Sequence, residues 1–288
     1  MTILVTGGAG QLATELALQG GPDICRVGRP DFDFAQPETI DAAFTAASPS
    51  VVVNAAAYTA VDAAETDQEA AMRANRDGPA RLAQLCDRRD IPLIHISTDY
   101  VFDGLKGAPY VETDPTSPQG VYGATKLAGE TAALDACRRA VILRTSWVYA
   151  PRGKNFMLTM LNAAKKMPKL RVVADQRGSP TPAGDLAAAI LSLPFIRGPW
   201  LDDYRGIFHA TASGETTWHG FAQAIFHHAA QFGSPTPEIE AITTADWPTP
   251  ARRPPDSRLD CSKLAHVFSI RLPDWQDGLA RTLTRFYA

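Results

Sequence analysis

The stretch Thr2-Ile3-Leu4-Val5-Thr6-Gly7-Gly8-Ala9-Gly10-Gln11-Leu12-Ala13 decides the fold. Thr2 to Val5 is a short apolar run, the glycines interrupt it, and Leu12, Leu16 and Ala17 then recur at helical spacing. Strand, glycine-rich turn and helix, in that order, are what a nucleotide diphosphate needs. The pattern Gly7-x-x-Gly10-x-x-Ala13 makes the turn tight, leaves the backbone bare for a pyrophosphate, and lets helix pack closely on strand. The helix N-terminus adds unpaired N–H groups and a partial positive charge. Gly7, Gly10, Gln11 and Leu12 are therefore candidate cofactor contacts.

Outward from this unit, strands and helices alternate. Ile24-Cys25-Arg26-Val27 reads as a second strand, residues 40–47 as a helix, and Val51-Val52-Val53 as a β-branched strand buried on both faces. A helix is expected over 67–72, resuming over 79–89, then a strand at Leu93-Ile94-His95-Ile96 and another at Ala140-Val141-Ile142-Leu143-Arg144. The alternation predicts an α/β fold with a Rossmann-type, doubly wound parallel sheet. Ligands on such sheets bind at the carboxyl ends of the strands, near the switch point. Asn54-Ala55-Ala56-Ala57 and Ser97-Thr98 stand there. The small residues let a flat cofactor lie against the backbone, or serve only close packing. Arg29, just past the second strand, suits an adenosine 2′-phosphate or is a surface cation. Asp33 suits the adenine amino group or caps a turn. His95, in mid-strand, reads as core.

After about Tyr149 prolines become frequent, with helical stretches at 156–166, 185–193 and 218–231. The expected organisation is a dinucleotide-binding domain over 1–150 and a smaller, interwoven α/β lobe over 151–288 for the substrate. Part of the second stretch should return to the first domain. The chain of 288 residues is long enough for both, and 45% hydrophobic with 20% charged residues is ordinary globular composition. A net charge of −3 gives no electrostatic reason to expect nucleic acid or an anionic membrane as partner. Cys25, Cys86, Cys137 and Cys261 form no CxxC pair and no metal-ligand spacing, which predicts free thiols in a reducing, cytoplasmic compartment and no bound metal. The N-terminus enters a strand at once, leaving no room for a signal peptide.

The chemistry is read from Val121-Tyr122-Gly123-Ala124-Thr125-Lys126. On a helix, Tyr122 and Lys126 leave the same face one turn apart. An ammonium near a phenol favours the phenolate, and drawing a phenol from about 10 to about 7 takes roughly 4 kcal/mol. Such a phenol can protonate a carbonyl oxygen as it becomes an alcohol. Thr98, at a strand end, can donate to the same oxygen. Together with the glycine turn these point to a hydride-transferring site.

At this point the chain resembles the extended short-chain dehydrogenase/reductase family. Within that family it is similar, over nearly its whole length, to the branch that reduces the 4-keto group of dTDP-4-dehydro-L-rhamnose to dTDP-L-rhamnose. The stretches that carry this are Asn54 to Asp62, Ser97-Thr98-Asp99-Tyr100-Val101-Phe102-Asp103-Gly104, the Tyr122 helix, Arg144 to Tyr149, Asp175 to Thr181 and Thr249 to Pro254. The resemblance implies Tyr122 as proton donor, Lys126 on the nicotinamide ribose, and Thr98 on the substrate carbonyl. Ser97 would join the cofactor contacts. Asp99, Tyr100 and Trp147 would shape the sugar pocket, and Gln176, Arg252 and Arg253 would face the diphosphate, a task that suits a guanidinium fork. A surface basic pair is the other reading of the two arginines. The implied cofactor is NADPH, favoured by Arg29, with NADH the alternative.

Some relatives of that branch dimerise around magnesium held by glutamates near the C-terminus. This chain ends Arg285-Phe286-Tyr287-Ala288 with no acid beside them, so that bridge is not expected and the chain reads as a monomer or a homodimer. Two rival functions follow from the same resemblance. A sugar-nucleotide epimerase or dehydratase would keep its NAD, but a dehydratase commonly has Glu where Tyr100 stands. A non-catalytic subunit, like the reductase-like regulator of methionine adenosyltransferase, would keep the cofactor cleft without turnover.

Overall fold

The structure, a computed structural model, describes residues 1–288. Its centre is a six-stranded sheet made of β1 (Ile3–Thr6), β2 (Ile24–Val27), β3 (Val51–Asn54), β4 (Leu93–Thr98), β5 (Ala140–Thr145) and β6 (Gly206–His209). The order is β2-β1-β3-β4-β5-β6, and every pairing is parallel. Side chains alternate across such strands, so each strand feeds the sheet's core on both of its faces. Ile3, Val5, Val51, Val53, Ile94 and Val141 enter one hydrophobic cluster, whereas Leu4, Val52, Leu93 and Ile142 enter the other. This is why the strands read as unbroken apolar runs. Helix α1 (Gln11–Gly20) supplies Leu12 and Leu16 to the first face. Helices α2 (Pro37–Ala47) and α3 (Gly78–Arg89) supply Ile40, Phe44 and Leu82 to the second. Helix α4 (Val121–Ala136) adds Ala133 there.

Two expected helices differ in extent. The first begins at Pro37 rather than at residue 40, because proline fits the first helical turn, where its missing N–H costs nothing. The helices expected over 67–72 and 79–89 form one rod. Gln68–Met72 continues through a π-type turn at Arg73–Asp77 into α3. Pro79 has no N–H for the Asn75 carbonyl, and the helix widens there.

A second core gathers Tyr149, Met157, Leu161, Leu170, Phe221, Ile225, Trp275, Leu279 and Leu283. Its helices are α5 (Phe156–Ala164), α7 (Trp218–Ala230) and α8 (Trp275–Tyr287), the last two separated from α5 in sequence by α6 (Ala183–Leu191). A parallel pair of strands, Lys169–Val173 with Glu238–Ile242, flanks it. Between these elements the chain crosses back. Leu186 and Ile190 of α6, Phe208 of β6 and Phe268 all lie in the first core. No helix is long and apolar enough to cross a membrane. The four cysteines are free thiols.

Candidate active site

The strand order reverses between β1 and β3, and the carboxyl ends of β1, β3, β4 and β5 open there onto a cleft of about 990 Å³. Residues from both cores line it. Gly7, Gly10, Gln11, Leu12, Arg29, Asp33, Ala55, Ala56, Ala57, Ser97, Thr98, Asp99, Tyr100, Tyr122, Lys126 and Trp147 are brought together around this space. Asn54, Gln176, Arg252 and Arg253 are not among its lining residues.

The glycine turn is shaped as a dinucleotide needs. Gly7 and Gly8 have φ of +108° and +51°, a region that side chains disfavour. A Cβ on Gly28 would stand 2.4 Å from the Gly8 Cα, so the first two strand ends touch backbone to backbone. Helix α1 opens with Gly10 as its N-cap, without a side-chain cap and without an acid in its first turn. Its N–H groups are left for an anion. A dinucleotide therefore fits the residues present: the turn and helix end for the diphosphate, Ala55 to Ala57 for a flat ring, and Arg29 at the margin. Asp33 lines the cleft, but its Oδ1 already accepts the Ala35 N–H at 2.9 Å, the turn-capping use.

Asn54 corrects the expectation of a cofactor contact. It is wholly buried, its Oδ1 accepts the Thr6 hydroxyl at 2.6 Å, and its Nδ2 donates to His95 Nδ1 at 2.9 Å. It ties β1, β3 and β4 together beneath the cleft floor. His95 is core, and burial with the Lys126 charge holds its imidazole neutral.

On α4, Tyr122 and Lys126 both face the cleft, one turn apart, and Thr98 closes the third side from β4. The Tyr122 ring meets Tyr100 edge-on at 5.6 Å between centroids. Burial pushes the Tyr122 phenol up to about 12, the Asp99 charge adds to this, and the Thr98 hydroxyl opposes it. The lysine does not lower it. Lys126 Nζ donates instead to the Ile96 carbonyl at 2.6 Å, and burial brings this amine down to about 8 against the charge of Glu130. In this arrangement the phenol is raised, rather than drawn down by the lysine, and it stays the neutral form that a proton donor requires. Ser97, a cofactor contact by resemblance, has its hydroxyl committed to Glu130 at 2.5 Å.

Beside the phenol, Asp99 is buried, with Oδ1 accepting the Thr98 hydroxyl at 3.1 Å and Oδ2 without a partner. Burial raises its carboxyl to about 6. Trp147 adopts φ +48° and lies flat on Trp218, 3.5 Å between centroids. Gly178 makes room for it, since a Cβ there would fall 2.5 Å from the indole. Trp218 lines the cleft and had no signal in the sequence beyond being an aromatic at a helix start. Gln176 stands against this pair rather than in the cleft lining. Its Oε1 accepts the Trp218 indole N–H at 3.1 Å and its Nε2 donates to Thr244 Oγ1 at 3.0 Å, so it props Trp218 from behind. Arg253 forks onto Asp62, Nη2 to Oδ2 at 2.8 Å and Nη1 to Oδ1 at 3.1 Å, joining its loop to the segment after β3. Its neighbour Arg252 is exposed and makes no hydrogen bond or ion pair. Neither arginine lines the cleft, although Arg253 lies close to Tyr100, which does.

A family model described as the RmlD substrate binding domain matches residues 1–288. The dTDP-4-dehydrorhamnose reductase of Sinorhizobium fredii is 44% identical over 284 residues, which cover 98% of this chain and 96% of the relative. A solved dTDP-4-dehydrorhamnose reductase from Clostridium acetobutylicum superposes with a TM-score of 0.92 at 34% identity, covering 100% of both chains. The Bacillus anthracis dTDP-4-dehydrorhamnose reductase, solved in complex with NADP, superposes with a TM-score of 0.91 at 30% identity, covering 99% of this chain and all of the other.

Proposed function

The chain belongs to the RmlD substrate binding domain family, and from that premise we propose that it reduces the 4-keto group of dTDP-4-dehydro-L-rhamnose to dTDP-L-rhamnose with NADPH. It is an NAD(P)H-dependent oxidoreductase acting on a dTDP-sugar, as its relatives' names describe. The observation that carries the reading is the convergence of Thr98, Tyr122 and Lys126 on the cleft that also holds the glycine cradle. NADPH is preferred over NADH because Arg29 sits at the cradle's margin, where a 2′-phosphate would need a cation.

Gly7 to Leu12 would bind the diphosphate of the cofactor, Ala55 to Ala57 its flat ring, and Lys126 its ribose. When bound, the reduced nicotinamide supplies the hydride that the ketone carbon takes up. The remaining steps belong to the chain. Thr98 turns its one hydroxyl proton from Asp99 to the ketone oxygen and concentrates negative charge there. Tyr122, neutral at this pH as an ordinary phenol is, gives its proton to that oxygen. Lys126 then stabilises the phenolate left behind, drawing closer to it than in the resting arrangement. Trp147 and Trp218 form an apolar wall that excludes water from the sugar side. Asp99 and Tyr100 shape the pocket beside it. Arg253, with its charge partly spent on Asp62, and Arg252, with none spent, would approach the nucleotide diphosphate from the rim.

Steady-state oxidation of NADPH on addition of the 4-keto sugar nucleotide tests the reading. Turnover yielding dTDP-L-rhamnose is expected. Tight NADPH binding without turnover would favour the non-catalytic subunit, and a requirement for retained NAD would favour an epimerase. Two further parts of the proposal are a monomer, checked by light scattering, and a cytoplasmic location, which suits the free thiols. The substrate lobe is assigned to the second core, excluding α6, β6 and residues 262–272.

A further inference from the structure

Behind Tyr122 and Lys126 lies a charged cluster that the steps above do not use. Glu130 follows Lys126 by one turn on α4, and both side chains are almost wholly buried. Its carboxylate accepts the Ser97 hydroxyl at 2.5 Å and the Arg144 guanidinium at 2.9 Å (Nε to Oε1) and 2.6 Å (Nη2 to Oε2). Arg144 comes from β5 and is itself sealed in, 5.0 Å over the Phe102 ring. Buried ion pairs lose much of their attraction to desolvation and are poor sources of stability, so one beside a reactive lysine calls for another account.

The chain order supplies it. Ile96 gives its carbonyl to the Lys126 ammonium, Ser97 gives its hydroxyl to Glu130, and Thr98 carries the hydroxyl at the ketone position. One carboxylate grips the middle residue of this three-residue segment. The charged or titratable groups around Lys126 are His95 and Asp99 from β4 and its end, Arg144 from β5, and Tyr122 and Glu130 from α4. Of these, Glu130 is the one whose charge opposes the effect of burial on the ammonium. We propose that Glu130 is the positioning residue of this site: through Ser97 it fixes the end of β4 that presents the Ile96 carbonyl to Lys126 and the Thr98 hydroxyl to the ketone.

The inference rests on the Tyr122–Lys126 reading above, so its test includes a measurement that needs no sugar. Glu130→Gln leaves Arg144 buried without a counter-charge, and Glu130→Gln with Arg144→Met removes both charges together. In the double variant kcat should fall about tenfold or more while NADPH affinity at neutral pH stays within about threefold. In Glu130→Gln, where Arg144 keeps its charge, the alkaline limb in kcat and in NADPH affinity alike should move down by about one pH unit, because a lysine without its carboxylate loses its proton earlier. A kcat within about twofold of the parent with both limbs unmoved overturns the proposal. If the parent binds NADPH but never reduces the keto sugar, the functional reading fails, and the limb in NADPH affinity still decides the role of Glu130. If neither variant folds, Ser97→Ala decides it: a drop in kcat of about threefold or more at unchanged NADPH affinity supports the grip on β4, and unchanged kcat overturns it.

Discussion

A phenol that gives up a proton at neutral pH has to hold one first, as an ordinary phenol does, and the half-buried setting of Tyr122 raises it further. Replacing it with Phe keeps the packing against Tyr100 and removes only the proton. Turnover should fall by about 10²-fold or more, the scale of general acid catalysis, with NADPH binding spared; near-normal kcat would remove Tyr122 from the reaction. The ammonium one turn away sets the alkaline limit. Burial brings Lys126 down to about 8, so as pH rises through that value the charge that stabilises the phenolate is lost. The profile of kcat/KM for NADPH should therefore bend downward near pH 8, and a flat profile to about pH 10, near the ordinary lysine value, would contradict this. Arg253 is a residue of another kind, already held by Asp62. Arg253→Ala should weaken binding of dTDP by about tenfold, the worth of one charged hydrogen bond, with kcat little changed; calorimetry giving an unchanged affinity would place it outside the site.

At the scale of elements, the catalytic helix is set by what lies beneath it. Asn75, in the π-type turn, donates to the Thr125 hydroxyl at 3.0 Å, and holds the backbone N–H and carbonyl of Tyr58 with its side-chain amide. The Asn75 carbonyl that Pro79 leaves free points at α4, and a Cβ on Gly129 would stand 1.9 Å from it. Gly129→Ala must push α4 away from its support. A loss of about 1–3 kcal/mol in urea unfolding is expected for such overpacking, along with reduced turnover although residue 129 touches no ligand. Stability and kcat both unchanged would refute the close seating. These relations were only partly legible in the sequence. The strands announced themselves because each is buried on both faces, and the Tyr122 helix by its four-residue spacing. The π-type turn was hidden because Pro79 reads as a helix start, and its consequence depends on a glycine fifty residues away.

At the scale of the molecule, two cores face each other across one cleft, the first built around the sheet and the second around α5, α7 and α8. The glycine turn, Tyr122, Lys126 and Thr98 could be read from the sequence because local spacing and strand ends carry them. The hydrogen-bond partners of Gln176 and Asn54 could not. Whether an amide faces a ligand or an indole behind it depends on contacts between distant segments, as between Gln176 and Trp218. The same holds for Glu130, whose place four residues after Lys126 was visible but whose partners, Ser97 and Arg144, are brought to it by β4 and β5. The joint action of the two cores is tested most directly by following an isotope across the cleft. NADPH deuterated at the transferable position should deliver its label to carbon 4 of the sugar, giving dTDP-L-rhamnose deuterated there as read by NMR. Product without deuterium at that carbon, or no product from enzyme that binds both ligands, would contradict a direct transfer between them.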